Sequence, residues 1–214
     1  MSDRRLVLSA GLCGLLGLAG CSEPKEAGPV LLTKNKGQAL ARDMDWAELD
    51  KQTTGFWLEA GVEVDAVKDP RKALYVFFDM QCPHCGELWK DYRMAGLGSL
   101  AVKWIPVGLL NRASTAQGAT LLSKKVGQKA VVLDEHESKM KAMGPRGGIS
   151  ADGAAFGLFE DKIAKNTGIL MGLLERMPKG ESGVPFLVGV AMDGSVYLNA
   201  GRPAMGELRG KLRL

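Results

Sequence analysis

Hydrophobic and polar positions divide this chain into stretches with different periods. Arg4 and Arg5 precede an apolar run, Leu6 to Leu18, interrupted only by Ser9, and small residues Ala19 and Gly20 follow. The run is too short to span a bilayer and has the layout of a secretory signal, here residues 1–20. Residues 22–44 are polar and poor in aromatics, which marks a tether over 21–44. Trp46, Leu49, Thr53, Phe56, Trp57 and Ala60 recur at steps of three and four. That spacing predicts an amphipathic helix closed by Gly61, with Gly55 as an interruption. With the turn at Asp69-Pro70, residues 45–70 form an N-terminal helical extension.

From residue 71 onward the pattern alternates between strand and helix. Leu74-Tyr75-Val76-Phe77-Phe78 is a short β-rich apolar run, as expected of a buried central strand. Gln81-Cys82-Pro83-His84-Cys85 follows at once, and Cys85, Leu88, Trp89 and Tyr92 then share one helical face that ends at Gly96 and Gly98. Ala101 to Val107 predicts a second strand. Residues 113–177 are helical in pattern, with breaks expected at Gly144-Pro145-Arg146-Gly147-Gly148 and near Asn166-Thr167-Gly168. Ser182-Gly183-Val184-Pro185 leads into a strand over Phe186 to Val190. Asp193-Gly194 signals a two-residue hairpin, Ser195 to Leu198 the return strand, and Pro203 to Leu214 a closing helix with proline in its first turn. The class is α/β.

Composition changes this picture little. The chain has 214 residues, 46 % of them hydrophobic and 24 % charged, which fits a globular protein. A net charge of +4 does not argue for a nucleic-acid partner. The cysteines are more informative. Cys13 lies in the signal and Cys21 just after it, so only Cys82 and Cys85 remain in the body, with none to spare for structural disulfides. Leu18-Ala19-Gly20-Cys21 resembles the bacterial lipobox, which implies cleavage before Cys21, a lipid on its thiol and stable attachment to a membrane. Ser22 resembles the pattern of lipoproteins sent to the outer membrane. A twin-arginine route through Arg4-Arg5 fits the following residues poorly. Either route places the mature protein in the periplasm, where disulfides persist.

Thiol exchange needs a thiolate near neutral pH. Cys82 at a helix N-terminus meets unsatisfied backbone N–H groups and the positive end of the helix dipole, which lower its pKa. Pro83 suits the first turn, where no N–H is required. His84, if turned back, can donate to the thiolate or place positive charge beside it. A stabilised thiolate favours the reduced pair and makes the disulfide a stronger oxidant. Cys85 falls on the buried face, so it stays protonated until Cys82 is engaged and then resolves the mixed disulfide. Glu87 is expected in the first turn as a capping acid, with proton relay as the other option. His136, among Asp134, Glu135 and Glu137, is expected to be a solvated surface residue. A structural zinc site lacks its second ligand pair, and no His or Met has diagnostic copper spacing, so neither metal nor cofactor is expected beyond the Cys82–Cys85 redox disulfide.

The stretch Tyr75-Val76-Phe77-Phe78-Asp79-Met80-Gln81-Cys82-Pro83-His84-Cys85 resembles the active-site strand and motif of the DsbC/DsbG family of periplasmic thiol:disulfide interchange proteins. Val107-Gly108-Leu109-Leu110 and Gly183-Val184-Pro185 resemble further segments of the same family, the latter its cis-proline loop. The resemblance covers roughly 72–214. It implies a thioredoxin-like fold over 71–214, with a helical insertion between the second strand and the cis-proline loop. It also implies a cis Val184–Pro185 bond that presents the Val184 backbone to a client peptide. Three departures stand out. Pro83-His84 is the dipeptide of the oxidase DsbA, Val184 replaces the family's usual threonine, and the stretch between Cys21 and the first strand is short for the family's dimerisation domain. A monomer or weak dimer is therefore expected, acting on cysteine-containing envelope proteins with a DsbD-type or DsbB-type membrane redox partner. The residues leave the direction of electron flow open. They also leave as alternatives a non-catalytic client-binding lipoprotein and a metal chaperone.

Overall fold

The computed structural model describes residues 44–140 and 147–212. The expected signal, Cys21 of the lipobox-like tetrad and the expected tether as far as residue 43 lie outside them.

The centre of the molecule is β3 (Ala73–Asp79), all of whose residues are buried. It pairs in parallel with β4 (Ala101–Val107), the connection being α2 (Pro83–Ala95). The sheet has the order β2-β1-β4-β3-β5-β6, with β1 (Phe56–Glu59), β2 (Val62–Val64), β5 (Phe186–Val190) and β6 (Val196–Ala200) all antiparallel to their neighbours. Since strand residues alternate in facing, the apolar run of β3 serves both sides of the sheet. On one side Leu74, Val76 and Val102 meet Leu88 of α2 and Leu208 of α6 (Met205–Lys211). On the other, Tyr75 packs against Trp46 of α1 (Trp46–Gln52) and edge-on against Trp57.

The helix expected across 46–60 is replaced by a helix and a hairpin. α1 stops at Gln52, where the Thr53 hydroxyl donates to Leu49 O, and the chain then enters β1. Gly55 lies so close to β4 that a Cβ there would sit 2.3 Å from the Trp104 carbonyl oxygen. Ala60 and Gly61, both at positive φ, make the two-residue turn into β2. Phe56 and Trp57 satisfied a helical spacing, but both are buried because they lie in a sheet. The hairpin is no appendage either. Glu63 of β2 accepts from the backbone N–H groups of Lys129 (2.9 Å) and Ala130 (3.4 Å) and pairs with the Lys129 ammonium at 3.2 Å. It thereby satisfies the orphan donors at the start of α4 (Lys129–Ser138).

A break expected near 166–168 is also absent, since α5 (Gly153–Leu174) runs straight through it. Asn166 is fully buried. Its amide nitrogen donates to Thr54 O and Pro106 O, and its Oδ1 accepts from Thr54 N–H. Thr167 accepts from Gly108 N–H. These polar residues pin α5 to the sheet instead of ending it. α3 (Arg112–Leu122) packs on α5, and α3, α4 and α5 all fall between β4 and β5 in chain order. The β5–β6 hairpin is longer than Asp193-Gly194 alone suggested. Ala191 N–H donates to Ser195 O across a loop of Met192 to Gly194, with Gly194 at positive φ.

Candidate functional site

The predicted pair sits where β3 hands over to α2. Cys82 is the N-cap, Pro83 opens the helix, and no side chain caps it. The free N–H groups of the first turn therefore face the Cys82 sulfur. Both thiols are free and buried, at 5 % and 3 % exposure. The Cys82 thiol is drawn down from 9.0 to about 6. The largest cause is a hydrogen bond from Cys85, and the backbone N–H groups of Cys85 and His84 add to it, against burial and the charge of Asp79. Cys85 moves the opposite way, pushed up by burial and by its hydrogen bond to and charge repulsion from Cys82. One sulfur is thus set to ionise and its neighbour to hold its proton.

Val184, 102 residues downstream of Cys82, arrives with Pro185. Their peptide bond is cis, and the protonated Cys82 thiol donates to Val184 O at 3.4 Å. The resemblance had implied both the cis bond and the proximity, and the fold brings Cys82, Cys85, Pro83, Val184 and Pro185 together.

His84 behaves differently from expectation. Its side chain is 68 % exposed, and Nδ1 faces the Glu87 carboxylate at 3.3 Å rather than the sulfur. Only its backbone N–H serves Cys82. Glu87 lies past the first turn and caps nothing; it also pairs with Arg202 at 3.0 Å.

His136 is a correction. It is fully buried, not solvated. Its Nδ1 accepts from Ile149 N–H at 3.1 Å, so Nε2 carries the proton and donates to Met80 O at 2.7 Å. It thereby ties α4 to the residues just before Cys82. The acidic neighbours had disguised it, because helix facing in α4 depends on where the sheet lies.

Sequence reasoning also passed over the rest of this floor. Asp79, 1 % exposed, accepts from the backbone N–H groups of Gln81 (2.8 Å), Leu109 (2.8 Å) and Leu110 (2.9 Å), while its own N–H donates to the Cys85 sulfur at 3.4 Å. Gln81 donates to Gln117 at 2.6 Å and to Gly147 O, and Gln117 donates to Gly147 O and Ile149 O. An acid at the end of an apolar strand was the one available signal. Among the described residues, no cluster of three or more His, Cys, Asp or Glu side chains could hold a metal ion, and no helix is long and apolar enough to cross a membrane.

This arrangement can be set beside known proteins. No family profile matches the chain. The thiol:disulfide interchange protein DsbG of Pseudomonas aeruginosa is 26 % identical over 170 residues, covering 79 % of this chain and 58 % of that protein. The chain thus spans little more than half the length of that relative. The crystal structure of the thiol-disulfide exchange protein α-DsbA2 from Wolbachia pipientis superposes with a TM-score of 0.50 at 17 % identity, over 76 % of this chain and 89 % of that one. The fold is thioredoxin-like. The catalytic domain of ScsC from Proteus mirabilis is similar over 76 % of this chain and 90 % of that one, at 16 % identity and a TM-score of 0.47. In a thioredoxin-like fold built this way, the strand-to-helix junction carrying Cys82 and the loop carrying Pro185 are neighbours because β3 and β5 are paired.

Proposed function

We propose that this protein is a DsbG-like thiol:disulfide oxidoreductase that acts on client proteins through Cys82 and Cys85. The observation carrying this reading is the opposite setting of the two thiols, with the ionisable one against the backbone of a cis-proline loop. In the reductive direction the Cys82 thiolate attacks one sulfur of a client disulfide. That S–S bond breaks, a Cys82–client bond forms, and the departing client sulfur takes a proton. Cys85 then loses its proton and attacks the Cys82 sulfur, expelling the second client thiolate. The client gains two electrons and the pair becomes a disulfide. The oxidative direction is the reverse. The low Cys82 pKa supports a disulfide form that readily accepts electrons.

The Val184 backbone offers an extended client segment an added-strand contact beside the sulfur. The redox disulfide serves in place of a cofactor. The signal and lipobox support a periplasmic protein anchored through lipid on Cys21, at the outer membrane by Ser22, working as a monomer on envelope clients. A DsbD-type or DsbB-type membrane protein would reset the pair.

The test is a trapping experiment with a disulfide-bonded model peptide. Cys85→Ser should accumulate a Cys82–peptide adduct visible by mass spectrometry, and the wild type should turn the peptide over. A Cys82→Ser/Cys85→Ser variant that retains the full cellular phenotype would reject exchange in favour of client binding. Stoichiometric Cu(I) retention by the reduced protein would favour a metal chaperone.

A further inference from the structure

The rim of the site holds an ionic chain that the exchange mechanism does not use. Glu87 and Asp91 stand one turn apart on α2, the helix that Cys82 caps. Glu87 bends back to the His84 ring. Facing them from the other wall is Arg202, just after β6, whose neighbour Gly201 donates its N–H to Pro185 O at 2.8 Å. Arg202 Nη1 donates to Glu87 Oε2 at 3.0 Å, and Nε and Nη2 donate to Asp91 Oδ2 at 2.8 and 2.6 Å. One guanidinium therefore joins the cis-proline wall to the active-site helix and offsets two carboxylates on it. The geometry of a planar fork held by both acids is one that a lysine cannot reproduce.

We propose that Arg202 is a positioning residue that sets the redox poise of the Cys82–Cys85 pair, by neutralising Glu87 and Asp91 from the cis-proline side of the groove. The inference rests on the exchange reading above and adds a residue to it. Its sign follows from charge. Without Arg202, two like charges at i and i+4 remain on the helix whose N-terminus holds the thiolate. They oppose ionisation of Cys82, as does Asp79 from below. Glu87 then keeps its contact with the His84 ring, at 3.3 Å. The equilibrium that reads this is protein disulfide plus two glutathione thiols giving protein dithiol plus glutathione disulfide. A less stable thiolate moves it toward the protein disulfide.

The experiment compares the wild type, Arg202→Met and Arg202→Lys as full chains, by thiolate absorbance titration and by glutathione equilibrium at fixed pH. Arg202→Met should raise the Cys82 pKa and shift the equilibrium about threefold toward the disulfide, the scale expected of one charge at the protein–water boundary. Arg202→Lys should recover part of the shift. The difference should contract in 1 M salt, where screening acts within about 3 Å. An unchanged potential with only a lowered melting temperature, a shift of the opposite sign, or a shift indifferent to salt overturns the proposal. Failure of the exchange reading would be seen separately, in a wild-type Cys82 that titrates as an ordinary thiol.

Discussion

Two sets of polar groups surround the redox pair, and they differ in their access to water. Beneath it, Asp79, Gln81, Gln117 and His136 are buried, and each finds protein partners. Around its mouth, Glu87 meets both His84 and Arg202, and all three keep much of their surface in solvent. A buried polar group whose partner is removed bears the full desolvation cost, whereas exposed ion pairs are worth little to stability. The floor should therefore govern whether the site exists, and the rim should govern how it is poised.

The largest effect lies between the two regions. Cys82→Ser should reduce turnover of a peptide disulfide to background, and Cys85→Ser should stall it at the adduct, both without loss of secondary structure by circular dichroism. Next comes the floor. Asp79→Ala strands three backbone N–H groups and should cost about 3 kcal/mol in urea unfolding. It also removes a charge that opposes both thiolates, so the Cys82 pKa should fall further. An Asp79→Ala protein as stable as the wild type would break the distinction between floor and rim. Gly148→Ala should be somewhat milder, at about 2 kcal/mol. Gly148 has φ +97°, and a Cβ there would lie 2.2 Å from His136 Cε1, so the variant must displace the ring that holds Met80.

A pH series sharpens the comparison by isolating the pair itself. Cys82 ionises at about 6 in the folded protein, against an ordinary value of 9.0. Its contribution to stability is full above 9.0 and is lost as pH falls through about 6. Cys85, pushed upward, stays protonated across that window. The unfolding free energy of the reduced protein minus that of the disulfide form should therefore rise with pH from about 6 to 9, by up to about 1.4 kcal/mol per unit, and be flat below. Parallel profiles for the two forms would show that Cys82 is not held as a thiolate. The smallest effect belongs to the rim, where Arg202→Met should cost under about 1 kcal/mol of stability while moving the redox equilibrium.

How much of this was legible varies with distance along the chain. The run from Leu74 to Tyr92 was readable because strand, cap and helix face are all set by near neighbours, and the Cys-Pro-His-Cys motif sits at their junction. The segment 46–60 misled because Phe56 and Trp57 suit a helix face as well as a two-sided strand, and only pairing with β4 decides between them. Asn166 resembled a helix breaker until its partners, Thr54 and Pro106, were in place.

Local chemistry in the chain was enough to specify an ionisable sulfur at a helix mouth, a second one shielded a turn later, and an α/β order around them. The depth of His136, the burial of Asp79 beneath the pair and the reach of Arg202 across the groove were decided only by folding. Each depends on partners many residues away, and a side chain's access to water is a property of the packed sheet and helices, which no local period encodes.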